Sequence, residues 1–304
     1  MMRSILAKLG LLAENEPAVV DELAETAIAA KKMGITVFEG ETAAGSRMCG
    51  LRDAVLAGWY NSETGELLEG FVISAEDTVL DVGCGEGAAT LFSARQGAHV
   101  VFSDLERDKI EELEEKVAQS PARKYEALVC DTNPLPVADA YASRVVAMEM
   151  LEHTERPDLI LQELVRVGKP GALYLLTVPD PEAEKLQQGI APDQYYQAPN
   201  HVRIFEREEF ERTVSDAGLE IVRRSTMGFY WTMWMFFFWV TEAAAGREFD
   251  GAVLDKIKPP YHPLMESWSS TWHQLLQIPQ GQELKRKMDD FLPKTQVIIA
   301  RKPV

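Results

Sequence analysis

The sequence predicts an α/β fold, a doubly wound and mostly parallel sheet with helices on both faces, and three observations predict it. The run Val79-Leu80-Asp81-Val82-Gly83-Cys84-Gly85-Glu86-Gly87 reads as a buried strand entering a glycine turn that opens a helix. From 78 to 178, short apolar runs alternate with helix-forming stretches, the pattern of parallel strands joined by crossover helices. Three successive strand ends carry an acid: Asp81, Asp104 and Asp131.

Residues 1 to about 70 look helical, with Asp21-Glu22-Leu23-Ala24-Glu25-Thr26-Ala27 combining strong helix formers with apolar residues at helical spacing. Strands follow near 78–82, 98–103, 124–130, 143–149 and 171–178, with helices near 87–96, 106–119 and 157–167. Lys169-Pro170-Gly171 stops the third of these helices and starts a strand. Beyond 178 a Pro-rich, aromatic segment reaches Asn200, before a helix near 206–217 and a strand near 219–227. The apolar run Thr295-Gln296-Val297-Ile298-Ile299-Ala300-Arg301 predicts a last strand. No internal repeat stands out.

With 304 residues, 46% hydrophobic and 26% charged, the chain can bury a large core. A net charge of −17 repels phosphate backbones and anionic lipid surfaces, so neither nucleic acid nor an anionic membrane is the expected partner. Basic residues such as Lys31-Lys32 and Arg223-Arg224 come in pairs, the pattern of solvated positions. Cys49, Cys84 and Cys130 are odd in number and lack metal-type spacing, which reads as reduced thiols in the cytoplasm. The opening Met1-Met2-Arg3-Ser4-Ile5-Leu6 has no sustained apolar core before Glu14 and Glu16, so no export signal is expected.

Glycines at 83, 85 and 87 let the backbone turn sharply and approach a ligand that any Cβ would obstruct. A dinucleotide site wants G-x-G-x-x-G to aim helix amides at a pyrophosphate; here the spacing is G-x-G-x-G, and the carboxylate of Asp81 would repel phosphate. A nicotinamide enzyme is therefore disfavoured. A tight turn without a ligand is the bland alternative. Asp104 lies 19 positions after Gly85, about where such folds place a ribose-binding acid, and it also suits the N-cap of the helix that follows.

The nonapeptide 79–87 resembles the first motif of the class I S-adenosylmethionine (SAM)-dependent methyltransferases, whose cofactor carries a sulfonium and an ammonium. Met148-Glu149-Met150-Leu151-Glu152-His153-Thr154 is similar to the corresponding run of the ubiquinone-biosynthesis O-methyltransferases, the similarity covering roughly 77–226. It implies a Rossmann-like, seven-stranded sheet with an antiparallel terminal strand. The domains are then an N-terminal helical segment 1–70, a core 71–227, a helical insertion 228–294 and the terminal strand 295–304. The resemblance assigns to the cofactor Asp81, Gly83, Cys84, Gly85 and Gly87, then Asp104 with Leu105, Asp131 with Thr132, and Glu149 with Met150. The product would be S-adenosylhomocysteine (SAH).

Strand ends face the ligand crevice in such sheets, so His153 is the candidate general base for an acceptor hydroxyl, with His201 beside it. Its alternative is a hydrogen bond to the loop after the strand. Glu149, Glu152, His153 and His201 could together hold a divalent ion, a set similar to the metal ligands of the small-RNA 2′-O-methyltransferases. The metal is not favoured, and the acidity of the chain argues against RNA.

The run Phe229-Tyr230-Trp231-Thr232-Met233-Trp234-Met235-Phe236-Phe237-Phe238-Trp239-Val240 is too short to span a bilayer, which needs roughly 20 residues. It is core of the insertion, a lid or homodimer contact, or a docking surface for a lipid acceptor. Trp268 and Trp272 are placed to pack against it. Trp59-Tyr60 read as core or as a cation–π shield for the sulfonium, and Tyr195-Tyr196 as loop anchors or acceptor contacts. The resulting expectation is methyl transfer to a small molecule, at an oxygen. A methyltransferase acting on a lipid-linked glycan or protein, and a non-catalytic SAM-binding protein, are the alternatives.

Overall fold

The computed structural model describes residues 44–249, 251 and 257–304, so the helical expectation for 1–43 lies outside the described residues. Helix α1 (Ser46–Leu56) agrees with the helical reading of the leading segment. The stretch after it does not. Instead of helix, β1 (Trp59–Asn61), β2 (Glu66–Leu68) and β3 (Phe71–Val72) form a small antiparallel sheet. Gly58, Gly65 and Gly70 all take positive φ there, turning the chain where a helix would have to run on.

The core then follows as β4 (Thr78–Val82), α2 (Ala88–Arg95), β5 (His99–Asp104), α3 (Arg107–Ala118), β6 (Lys124–Val129), β7 (Ala142–Met148), α4 (Pro157–Val167) and β8 (Gly168–Pro179). After it come α5 (Pro181–Gln187), α6 (Arg207–Asp216), β9 (Glu220–Met227), α7 (Phe229–Ala244), α8 (Pro263–Leu276), α9 (Pro279–Phe291) and β10 (Thr295–Arg301). The seven strands lie in the order β6-β5-β4-β7-β8-β10-β9. β4 to β8 are mutually parallel, while β10 runs antiparallel to both β8 and β9.

Alternation along the strands feeds two cores. Leu80, Val101, Val145 and Ala147 pack with Leu161 and Leu164 of α4 on one face. Val79, Val100, Phe102 and Val146 pack with Phe92 of α2 and Ile110 and Leu113 of α3 on the other. Both faces of a parallel sheet are thereby dry, and its carboxyl edge is left as the opening.

Helices α7, α8 and α9 stand between β9 and β10 and close a third core with α1. Tyr230, Trp234 and Trp239 are almost wholly buried in it. Trp268 stacks on Tyr230 at 6.1 Å and Trp272 lies 5.6 Å from Phe229, the pairing that the helical spacing predicts. Buried aromatics need partners for their polar atoms, and α1 supplies them. Trp234 Nε1 donates to Ser46 Oγ at 2.9 Å, the Tyr230 hydroxyl to the Ser46 carbonyl at 2.8 Å, and Trp272 Nε1 to Asp53 Oδ1 at 2.8 Å.

Trp231 lies so close over Gly50 that a Cβ there would fall 2.1 Å from its Cζ2 atom. Gly50→Ala should therefore cost about 1–3 kcal/mol, read as a lowered thermal midpoint, because the indole must be driven off α1. An unchanged midpoint would show that Trp231 repacks freely.

Candidate functional site

The glycine loop leaves β4 with three positive φ angles, 66° at Gly83, 49° at Gly85 and 80° at Gly87. Each glycine answers a different demand. A Cβ at Gly83 would press on Met150 at 2.9 Å, and one at Gly87 would strike Leu113 at 2.2 Å, whereas one at Gly85 would meet nothing within 4 Å. Gly83 and Gly87 make room for the protein itself. Gly85 faces open space.

Asp81 is buried and accepts the Thr90 hydroxyl at 2.6 Å. Burial pushes its carboxyl up to about 6, against the hydrogen bond from Thr90. Cys84 ties the loop to the sheet by donating its N–H to the Ser103 carbonyl at 3.0 Å. Its thiol is pushed far up by burial and by the charges of Asp81 and Asp104, which makes it an inert small apolar group.

Asp104 ends β5 and holds two amides at once, Gly85 N–H on Oδ2 at 3.0 Å and Glu106 N–H on Oδ1 at 3.0 Å. It is not the helix cap: the N-cap of α3 is Glu106, without a side-chain cap bond. Asp104 thus braces the glycine loop at the end of β5. Leu105, beside it, is 71% exposed, an apolar side chain largely uncovered by protein. At the next strand end Asp131 is turned onto its own neighbour, accepting Thr132 N–H at 2.6 Å.

After β7 the chain passes through Glu149 at φ 51° and enters a single 3₁₀ turn, Leu151–His153. Met150 against Gly83 places this turn beside the glycine loop. His153 Nδ1 lies 3.0 Å from the Pro199 carbonyl, which can only accept, so the proton sits on Nδ1 and the Nε2 lone pair is free. Burial, followed by the neighbouring His201, holds His153 below the ordinary imidazole value.

His201 sits at right angles to it, with ring centroids 5.1 Å apart. Glu184 Oε2 holds His201 Nδ1 at 2.9 Å, and although burial opposes it, that bond and the charge of Lys294 keep Glu184 below the usual carboxylate range. Glu184 thus fixes a proton on His201 Nδ1 and leaves Nε2 as its other ring nitrogen. Glu152 completes the group: it is fully buried, neither of its oxygens has a hydrogen-bond partner, and Oε1 is 3.8 Å from His153 Nε2. Burial and the charge of Glu149 raise its carboxyl well above the usual range.

Of the four residues considered as metal ligands, Glu152, His153 and His201 offer donor atoms within 4.8 Å of one another. Glu149 does not join them, because Thr177 donates to its Oε1 at 3.0 Å and Lys294 Nζ lies 3.8 Å from its Oε2. The three donors fit a small cation, and Glu184 behind His201 is a common second partner of metal-bound imidazole. The ammonium of Lys294 close by opposes it.

Two residues of this cluster, Glu184 and Lys294, escape the sequence reading. Glu184 sits on a short helix with no motif around it. Lys294 does have a signal: Thr295 pairs with Pro179 in antiparallel register, which puts the residue before β10 at the carboxyl edge of β8. Trp59 is packed in the core, whereas Tyr60, adjacent to it, is close enough to feel the charge of Asp81. Tyr195 is buried against His201 and Trp239, at 4.5 and 5.1 Å, and Tyr196 donates to the Glu184 carbonyl at 2.9 Å, so both anchor the loop.

Residues 80–176 match the methyltransferase-domain family. Over 107 residues the chain is 38% identical to a ubiquinone biosynthesis O-methyltransferase of Hahella chejuensis, a match covering 33% of this chain and 42% of that protein. Over 110 residues it is 33% identical to the methyltransferase GfsG of Streptomyces halstedii, covering 36% and 40%. The matched part thus spans about 40% of the length of these relatives. The [4+2]-cyclase SpnF shares the fold, with a TM-score of 0.50 at 20% identity over 85% of this chain and 82% of that one. Residues 80–176 thus resemble the SAM-binding core of the class I methyltransferases, with motifs similar to those of the ubiquinone biosynthesis O-methyltransferases, and the cofactor of that class is SAM. Among the described residues no helix is long and apolar enough to cross a membrane.

Proposed function

We propose that the protein transfers the methyl group of SAM to a hydroxyl of a small molecule, with His153 as general base. The observation that supports this most is the pair of imidazoles beside the glycine loop, each tied through Nδ1 and each presenting Nε2. The acceptor O–H gives its proton to His153 Nε2 as an oxygen lone pair forms the new bond to the methyl carbon. The carbon–sulfur bond breaks, and its electron pair stays on sulfur as the thioether of SAH.

Asp81, Gly83, Gly85 and Asp104 hold the cofactor in this reading, with Leu105 against its base and Asp131 and Thr132 at the next strand end. Cys84, Gly87, Glu149 and Met150 shape the same wall. Sulfonium is a good leaving group, so alignment and exclusion of water remove most of the barrier. The base adds a further ~10²–10⁴-fold.

Labelled methyl from SAM, offered to an extract separated into small molecules, lipids and glycans, protein and RNA, should appear in the small-molecule fraction. Label in protein or glycan would replace this reading with a macromolecular acceptor. No label, from protein shown to bind SAM, would favour a non-catalytic role or other chemistry on the same fold.

His153→Ala should lower transfer ~10²-fold or more with SAM affinity unchanged, and equal transfer would remove His153 from the reaction. Because His153 titrates below its ordinary value of 6.5, kcat/KM should stay level through neutral pH and fall only in acid, as the imidazole takes a proton. With Lys294 supplying the local positive charge, dialysis against a chelator should leave transfer within about twofold. A loss restored by a divalent ion would instead install a metal on Glu152, His153 and His201.

A further inference from the structure

Lys294 is a half-buried cation that the base chemistry above does not use. Its side chain is 17% exposed, and its Nζ atom stands 3.8 Å from Glu149 Oε2 and 3.9 Å from Glu184 Oε1. Both separations are ion pairs too long to be hydrogen bonds, so its donors are unspent among the described residues. The backbone around it is fixed: Lys294 N–H donates to the Met227 carbonyl at 2.8 Å, and its carbonyl accepts Asp180 N–H at 2.9 Å. The stem leaves against Gly228, where a Cβ would come within 3.0 Å of that of Lys294.

Opposite charge reaches the ammonium from three neighbouring elements: Glu149 from the end of β7, Glu152 from the 3₁₀ turn, and Asp180 and Glu184 from α5 and its N-cap. Burial pulls the ammonium toward neutrality, but these four carboxylates outweigh it and hold its value above the ordinary lysine range. Its charge is felt in turn at His153. Lys294 is thus a cation whose donors make no hydrogen bond among the described residues, close to a carboxyl group, Glu152, whose oxygens are both unpartnered.

We propose that Lys294 binds the acceptor oxygen and stabilises its negative charge as the proton leaves. The assignment rests on the methyltransfer reading. A hydroxyl seated there meets a donor from Lys294 and a lone pair from His153 Nε2, and Lys294 keeps its own proton throughout the step. A preorganised cation favours the anionic form of a bound hydroxyl more than water does. This offsets the weakness of an imidazole whose basicity is already reduced.

The test uses the full chain saturated with SAH and p-nitrophenol as the probe, its ionisation followed by absorbance. In the wild-type complex the acidity of the bound probe should rise about tenfold or more. Lys294→Met should abolish that rise while SAH affinity, measured by calorimetry, stays within about threefold. Lys294→Arg, which keeps the charge, should retain most of it. An unshifted probe on the wild-type complex, or an equal shift in Lys294→Met, overturns the assignment. Failure of the wild-type protein to bind SAH would overturn the methyltransfer reading, and this assignment with it.

Discussion

Gly85→Val should abolish SAM binding and leave the fold standing. A side chain at this position meets no protein atom within 4 Å, so the only direct cost to the folded state is the φ of 49°, of the order of 1–3 kcal/mol. The space it fills, however, is the opening beside Asp104, whose carboxylate already holds the Gly85 amide. A loss of at least 100-fold in affinity, about 2.7 kcal/mol, is the expected calorimetric result. The companion change Gly87→Val behaves differently, since its side chain would strike Leu113 at 2.2 Å and unseat α3 from the sheet. It should lower the melting temperature as well as binding. Gly85→Val protein that still bound SAM within threefold would detach this loop from the cofactor.

Lys285→Ala should be the most damaging change outside the site. Its ammonium, 1% exposed, lies 3.2 Å from Asp53 Oδ2 of α1 and pairs with Asp289 of its own helix α9. Asp289 in turn accepts the N–H groups of Gly228 and Phe229, at 3.0 and 2.9 Å, and so caps the start of α7 from a distance. Removing the one cation leaves two carboxylates buried without it, a change that costs about 3–5 kcal/mol.

The loss should also depend on pH. Burial pushes Asp53 up to about 6, with Lys285 opposing the rise. An acid whose folded value is raised contributes stability that is fully present below its unfolded value of 3.8 and is lost as pH rises through about 6. Without Lys285 this effect grows, so denaturant titrations should show Lys285→Ala closer to wild type at pH 5 than at pH 8. Equal losses at both would mean that Asp53 is solvated in the variant.

The core of this chain was legible because its elements are punctuated by local chemistry. The glycine triplet 83, 85 and 87, the acids at strand ends and the Pro170-Gly171 break mark boundaries that the structure reproduces to within a few residues. The segment 59–72 was not legible, because strands of two or three residues cannot show a period, and its glycines carry the turns. In the site, the run 149–153 and the distant His201 were found from the sequence, whereas Glu184 and Lys294 were not. Glu184 and Lys294 acquire meaning only when α5 and the start of β10 return to the carboxyl edge. Asp104 was read as both ribose acid and helix cap; the structure turns its carboxylate onto the glycine loop, where it leaves α3 uncapped.

The placement of β10 constrains the order of events during synthesis. It lies between β8 and β9 and bonds to both, yet α7, α8 and α9 are made between β9 and β10. Until Thr295–Arg301 emerges, β8 has a bare edge and β9 has no place in the sheet. Such edges recruit strands from other chains. The three-helix insertion is therefore synthesised while the sheet is still open. Nascent chains halted before residue 295 should be the species that chaperones retain.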